Sequence, residues 1–230
     1  MKPGSSFISF LINISFFFVI SLHASAEEFE EQLPMYGNTD RSKNPDFVVQ
    51  DNSLIAKATR SFGTREHASE GYVERGFEHY ANKEFDKSMD RFNQAWLLNP
   101  ENPYVYLGFG LLLNKEEQSC QANEMFKLAN EKGLKENGFL ADYAHTSSQC
   151  ALLKKDNDRT ALFNASNNLY SVAAQTSNQR LLAYVYHSWA KSYYLQENFI
   201  KSQEMIEQSK NLGGTIDNSL LQALRAKTSN

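Results

Sequence analysis

Proline is scarce where it would do most damage. The chain holds five, and none lies beyond Pro103. Helix interiors exclude proline because it lacks an N–H and collides with the preceding turn. The tract from about Ser69 onward is therefore free to be helix, and it is rich in Ala, Leu, Lys, Glu, Gln and Asn. Strand-type alternation is not sustained anywhere, so the expected class is all-α.

An excess of basic charge is also missing. Lys and Arg number 23 against 27 Asp and Glu, a formal net charge of -4. A chain with no basic surplus has little with which to neutralise phosphates, so nucleic acid is not an expected partner. Histidine is sparse, and His67, His79, His145 and His187 show neither the one-turn spacing of a helical zinc site nor His-Glu-x-x-His. No glycine-rich phosphate loop is present, and Gly213-Gly214 reads as a helix stop. Cys150 and His145 are five apart on one helix and point about 140° away from each other, which is poor geometry for a nucleophile and its base. No cofactor, no metal and no catalysis are expected.

Cysteine is nearly absent: Cys120 and Cys150 are the two. Their spacing is far from any zinc pattern. Taken alone, they are either one disulfide in an oxidising compartment or two small buried thiols.

Long apolar stretches are limited to one, Phe7 to Leu22, broken only by Ser and Asn. It comes after Met1-Lys2 and ends at His23-Ala24-Ser25-Ala26, before the acidic Glu27-Glu28-Phe29-Glu30-Glu31. A charged start, a short apolar run and an Ala-x-Ala end predict a signal peptide over 1–26, cleaved after Ala26. An uncleaved anchor is the competing reading, but the run falls short of the roughly 20 residues a span needs. Losing Lys2 leaves 22 basic residues against 27 acidic ones, a mature net charge of -5. The expected product is exported, periplasmic or secreted. It can lie near a membrane, but it has no anchor after cleavage.

Residues 27–62 differ in character from the remainder of the chain. Leu33-Pro34-Met35-Tyr36-Gly37 and the polar run Asn38 to Pro45 interrupt helical periodicity, so this segment is expected to be an extended or disordered lead-in. Leu54 to Phe62 could add a short helix against a helical domain spanning 63–230.

Within that domain the sequence repeats. At an offset of 34, Tyr72, Gly76, Phe92 and Ala95 fall on Tyr106, Gly110, Phe126 and Ala129, and Ser88 falls on Ala122. Small residues let two helices approach, and the large ones fill the space they leave. Residues 69–102, with Tyr72, Gly76, Tyr80, Phe85, Ser88, Phe92, Ala95 and Pro100, resemble a tetratricopeptide (TPR) repeat. Residues 103–136 resemble a second. Tyr186, Ala190, Tyr194, Phe199, Ser202 and Ile206 carry the resemblance into 183–214, with Ser209 in a usual alanine slot and Gly214 where proline is common. Residues 137–182, about a dozen longer, read as a degenerate unit split near Lys154 to Asp158, and 215–228 as a capping helix with Thr215 or Asp217 as N-cap. The whole resembles an exported TPR protein of bacterial type: an α-solenoid of about four antiparallel helix pairs. Asn164-Ala165-Ser166 would be a glycosylation acceptor in a eukaryotic host.

The resemblance carries further expectations. Stacked pairs would place Cys120, near the start of one helix, beside Cys150, near the end of the next, which favours a disulfide. Arrays of this kind use the inner faces of their first helices as a concave surface for a protein or peptide partner, here Val73, Phe77, Tyr80, Tyr104, Leu107, Leu111, Asn114, Tyr184, His187, Lys191 and Tyr194. Some members clamp an acidic C-terminal carboxylate. Only Asn114, Lys115 and Lys191 suit that task here, so that role is disfavoured. The expected function is an interaction scaffold or assembly factor. The alternatives are a structural homo-oligomer whose groove is filled by its own lead-in, and a helical protein binding a small molecule, which a polar cluster inside the groove would favour.

Overall fold

The computed structural model describes residues 30–228. The signal-peptide expectation for 1–26 lies outside them. Every regular element among the described residues is helical: α1 (Pro45–Phe62), α2 (Arg65–Ala81), α3 (Phe85–Leu98), α4 (Pro103–Lys115), α5 (Ser119–Glu131), α6 (Asn137–Leu152), α7 (Asp156–Ala173), α8 (Gln179–Leu195), α9 (Phe199–Asn211) and α10 (Asn218–Thr228). None is long and apolar enough to cross a membrane. Consecutive pairs α2–α3, α4–α5, α6–α7 and α8–α9 pack tightly and stack on one another, an all-α solenoid.

The pairing arises from the small-large pattern. A Cβ on Gly76 would come 2.6 Å from the ring of Phe92, and one on Gly110 would enter the ring of Phe126. Both rings are fully buried. In the last pair the small position is Ala190 and the filler is Ile206, in one cluster, so the larger small residue meets a smaller partner. Serine hydroxyls knit the same joints: Ser88 donates to the Gly76 carbonyl at 2.8 Å, Ser202 to Ala190 at 2.8 Å, and Ser166 to Ala144 at 2.7 Å. The first two pairs are twelve residues apart and the third twenty-two. The third unit's extra length therefore sits between its two contact points, in longer helices. Ser209, in its alanine slot, donates to the Ala183 carbonyl at 2.8 Å.

The turns inside the pairs repeat as well. Lys83, Glu117 and Glu197 take left-handed backbone (φ 62°, 61° and 58°), and the next residue's N–H closes the turn onto His79, Leu113 and Tyr193 respectively. Cys120 and Cys150 are disulfide-bonded with Cα atoms 4.7 Å apart, joining the start of α5 to the end of α6.

The lead-in departs from expectation. Residues 45–62 form a full helix, α1, because Pro45 occupies its first turn and the Asn44 side chain accepts from the Asp46 N–H. Residues 34–38 are a left-handed turn, and Arg41–Lys43 is a single 3-10 turn. Asn93 of α3, fully buried, holds the segment. Its amide donates to the Glu31 and Leu33 carbonyls at 2.8 and 2.9 Å and accepts from the Tyr36 N–H at 3.0 Å. Arg41, ion-paired to Asp51 at 2.8 Å, lies 4.1 Å over Tyr36 and 4.3 Å over Phe47. Residues 30–62 thus dock on α2 and α3 of the first pair. The expectation of an extended or disordered 27–62 is corrected for 45–62, which is helix, and no residue of 30–62 lines the cavities at α8.

Candidate binding groove

The inner face of the array is built by the first helices of successive pairs. Its character changes along the length. Val73 is buried in the core at 6% exposure, so it is a packing residue and not a lining one. Phe77 lies edge-on to Phe92 with centroids 5.0 Å apart, and Tyr80 sits likewise against Phe85 at 5.7 Å. Leu107 is half-buried against the same core. Tyr104 is exposed, with its hydroxyl donating to Glu136 at 2.7 Å. At the first pair the aromatic residues therefore serve mainly to close the core.

Further along, the surface opens. Leu111, Asn114, Tyr184, His187 and Lys191 line one cavity of about 220 Å³ between α4, α6 and α8, together with Asp142, His145, Thr146 and Ser188. A second depression of about 700 Å³ shares Asn114, His145 and Lys191 and adds Tyr194, Leu152 and Leu153. A third, of about 560 Å³, shares Tyr184 and His187 and runs to Gly213 and Gly214. The small cavity thus shares lining residues with each of the other two along α8. Five of the eleven inner-face residues expected from sequence meet in the small cavity, and Tyr194 lies beside it.

Several polar groups line the cavity. The Tyr184 hydroxyl donates to Asp142. Burial pushes the Asp142 carboxyl above the ordinary carboxylate range, against the bond from Tyr184. Burial also lowers His145 to about 4, with Lys191 and His187 adding to the effect. His187 is lowered by burial and Lys191, with Asp217 opposing. Both rings are therefore neutral near pH 7. Lys191 is ion-paired to Asp217 at 2.7 Å, and this pairing holds Asp217 below its usual range. Asp217 lies 3.5 Å from His187 Nε2, too long for a good hydrogen bond. Asn114 donates to Thr146 at 2.6 Å. Three buried atoms at this cavity have no hydrogen-bond partner: Asn114 Oδ1, His145 Nδ1 and His187 Nε2.

Sequence reasoning does not reach Asp142, His145, Thr146 and Asp217 as lining residues. A signal for His145 exists, because it stands 34 residues after Leu111, on the same inner register. Asp142 is one turn before it. Asp217 reads as an N-cap in the sequence, but its carboxylate reaches across to α8. The polar cluster inside the groove, absent from the sequence-based expectation, is present.

No protein-family model matches the chain, and no curated protein does. Among solved structures it is similar to YrrB, a TPR protein with an unusual peptide-binding site, at 16% identity over 75% of this chain and 97% of that one, with a TM-score of 0.37.

Proposed function

We propose that this chain is a non-enzymatic, exported interaction protein of the bacterial envelope that holds an extended or helical segment of a partner protein in the groove along α8. One observation carries the reading. The inner face between α4, α6 and α8 stays open while the lead-in docks elsewhere, and it sets buried polar atoms without partners among Leu111, Tyr184 and Tyr194. Buried polar groups are nearly always bonded, so unpaired ones in an open groove favour a ligand that completes them. The polar cluster also favours the alternative of a small-molecule site. The 220 Å³ cavity alone is below the roughly 300–1,000 Å³ of typical ligand sites, whereas the adjoining depressions of about 560 and 700 Å³ are not. The capture experiment decides between the two readings. The cavity suits one side chain of a longer ligand.

The test is affinity capture of the mature chain from its native envelope, comparing wild type with Leu111→Ala plus Tyr184→Ala. A partner kept by wild type and lost by the double variant supports the reading. Equal recovery by both, or self-association alone, overturns it. Fractionation that left the chain outside the periplasm or medium would overturn export.

A further inference from the structure

The small cavity has a chemical bias that the array as a whole lacks. Its open positions can serve as acceptors. Asn114 Oδ1 can only accept, and the unpartnered nitrogens of neutral His145 and His187 accept in the tautomer that carries its proton on the other ring nitrogen. Asp142 takes one hydrogen bond, from Tyr184, on a carboxylate that lines the cavity. The cation at the rim, Lys191, is already matched by Asp217. Lys191 is offset by Asp217 of the adjoining depression, which leaves Asp142 as the lining carboxyl with no ion pair among the described residues.

A carboxylate would enter against Asp142 and find Lys191 taken. An amide offers two N–H donors to four acceptor groups. An ammonium offers three donors and a guanidinium five, and either supplies the charge that a buried carboxylate needs. Leu111 in the wall gives an aliphatic stem something to lie on. We infer that the cavity between α4, α6 and α8 binds a cationic amine or guanidinium group, with Asp142, Asn114, His145 and His187 as its acceptors. Resting on the proposed partner-binding function, the group is the end of a lysine or arginine side chain in the bound segment.

The experiment tracks the ring signals of His145 and His187 by NMR in the full mature chain, titrated with n-butylammonium, butyrate and butyramide in turn. Butylammonium shifts both rings and the other two do not. Asp142→Asn weakens that binding roughly tenfold or more, whereas Lys191→Met leaves it equal or tighter. The wild-type comparison needs no variant, so a poorly folded Asp142→Asn chain does not blunt it. Butyrate shifting the rings more strongly, with loss in Lys191→Met, overturns the inference, as does no response to the amine.

A second arm separates the sources. Immobilised peptides differing only in one residue (Lys, Arg, norleucine or Glu) are probed with the same chain. Selective retention of the Lys and Arg peptides supports the side-chain source. Peptides retained without that preference leave the groove reading standing and overturn this one. Amine binding with no peptide retained keeps the cavity chemistry, assigns it to a free amine, and removes the partner segment.

Discussion

Phe92 and Phe126 show how single residues set the spacing of this array. Each fills the gap that a glycine sixteen residues earlier leaves open, and the last pair uses Ala190 with Ile206 at the same separation. Gly110→Ala gains helix propensity but pushes a methyl into the Phe126 ring, so the expected net loss is about 1–3 kcal/mol. Adding Phe126→Ile should recover part of that loss, because it copies the last pair. Urea unfolding of the two single variants and the double tests it, and strict additivity would deny the coupling. His145 gives a second case. Its folded pKa is lowered to about 4 from an ordinary 6.5, so the unfolded chain binds more protons between those values. Stability therefore falls as pH drops from about 6.5 to about 4, by about 3 kcal/mol in all from this group. Asp142, raised by burial, acts in the opposite sense, and Lys191, His187 and Asp217 face the same space. The clean reading is thus the difference between wild type and His145→Asn, whose stability should decline less over that window.

At the scale of elements, the sequence is most readable where one residue's neighbours are a fixed register away. The pairs, their offset of 34 and the longer third unit are all legible, because glycine and phenylalanine report directly on helix approach. The disulfide is legible only through the stacking: α5 begins where α6 ends. In the chain-entropy picture its closed loop, from a separation of 30 residues, stabilises by about 3.5 kcal/mol. Cys120→Ser with Cys150→Ser should lower unfolding free energy by about that amount, and wild type should lose a similar amount on reduction. A reductant-insensitive wild type would argue against the bond. The helix α1 is less legible because Pro34 and Pro45 both look like breakers in the sequence. Pro45 is a starter, standing in the first turn where no N–H is needed. Asn93 is invisible for a different reason: its three bonds go to backbone some sixty residues away, and no local pattern announces them. Asn93→Leu should cost about 2–4 kcal/mol by leaving those backbone groups unpaired, and limited proteolysis should cut within residues 30–43 first.

The whole molecule is a line of units whose ends need closing. At one end the lead-in and α1 cover α2 and α3. At the other, Ile216, Leu220 and Leu224 close over Ala190 and Ile206. A linear array transmits instability mainly to nearest neighbours, so damage at one end should stay local. Residues 215–228 also carry Asp217, which holds Lys191 at the mouth of the polar cavity. Ending the chain at Gly214 should therefore have two effects on different elements. Hydrogen exchange should quicken in α8 and α9, whose apolar cluster loses its cover, and remain close to wild type in α2 to α5. Asp217→Asn, which frees Lys191 and leaves the cover in place, should leave exchange in α9 unchanged. Uniform acceleration along the truncated chain would mean that the array unfolds as one cooperative block. In that case the open inner face between α4, α6 and α8 would be held by both ends together, and not by the units that line it.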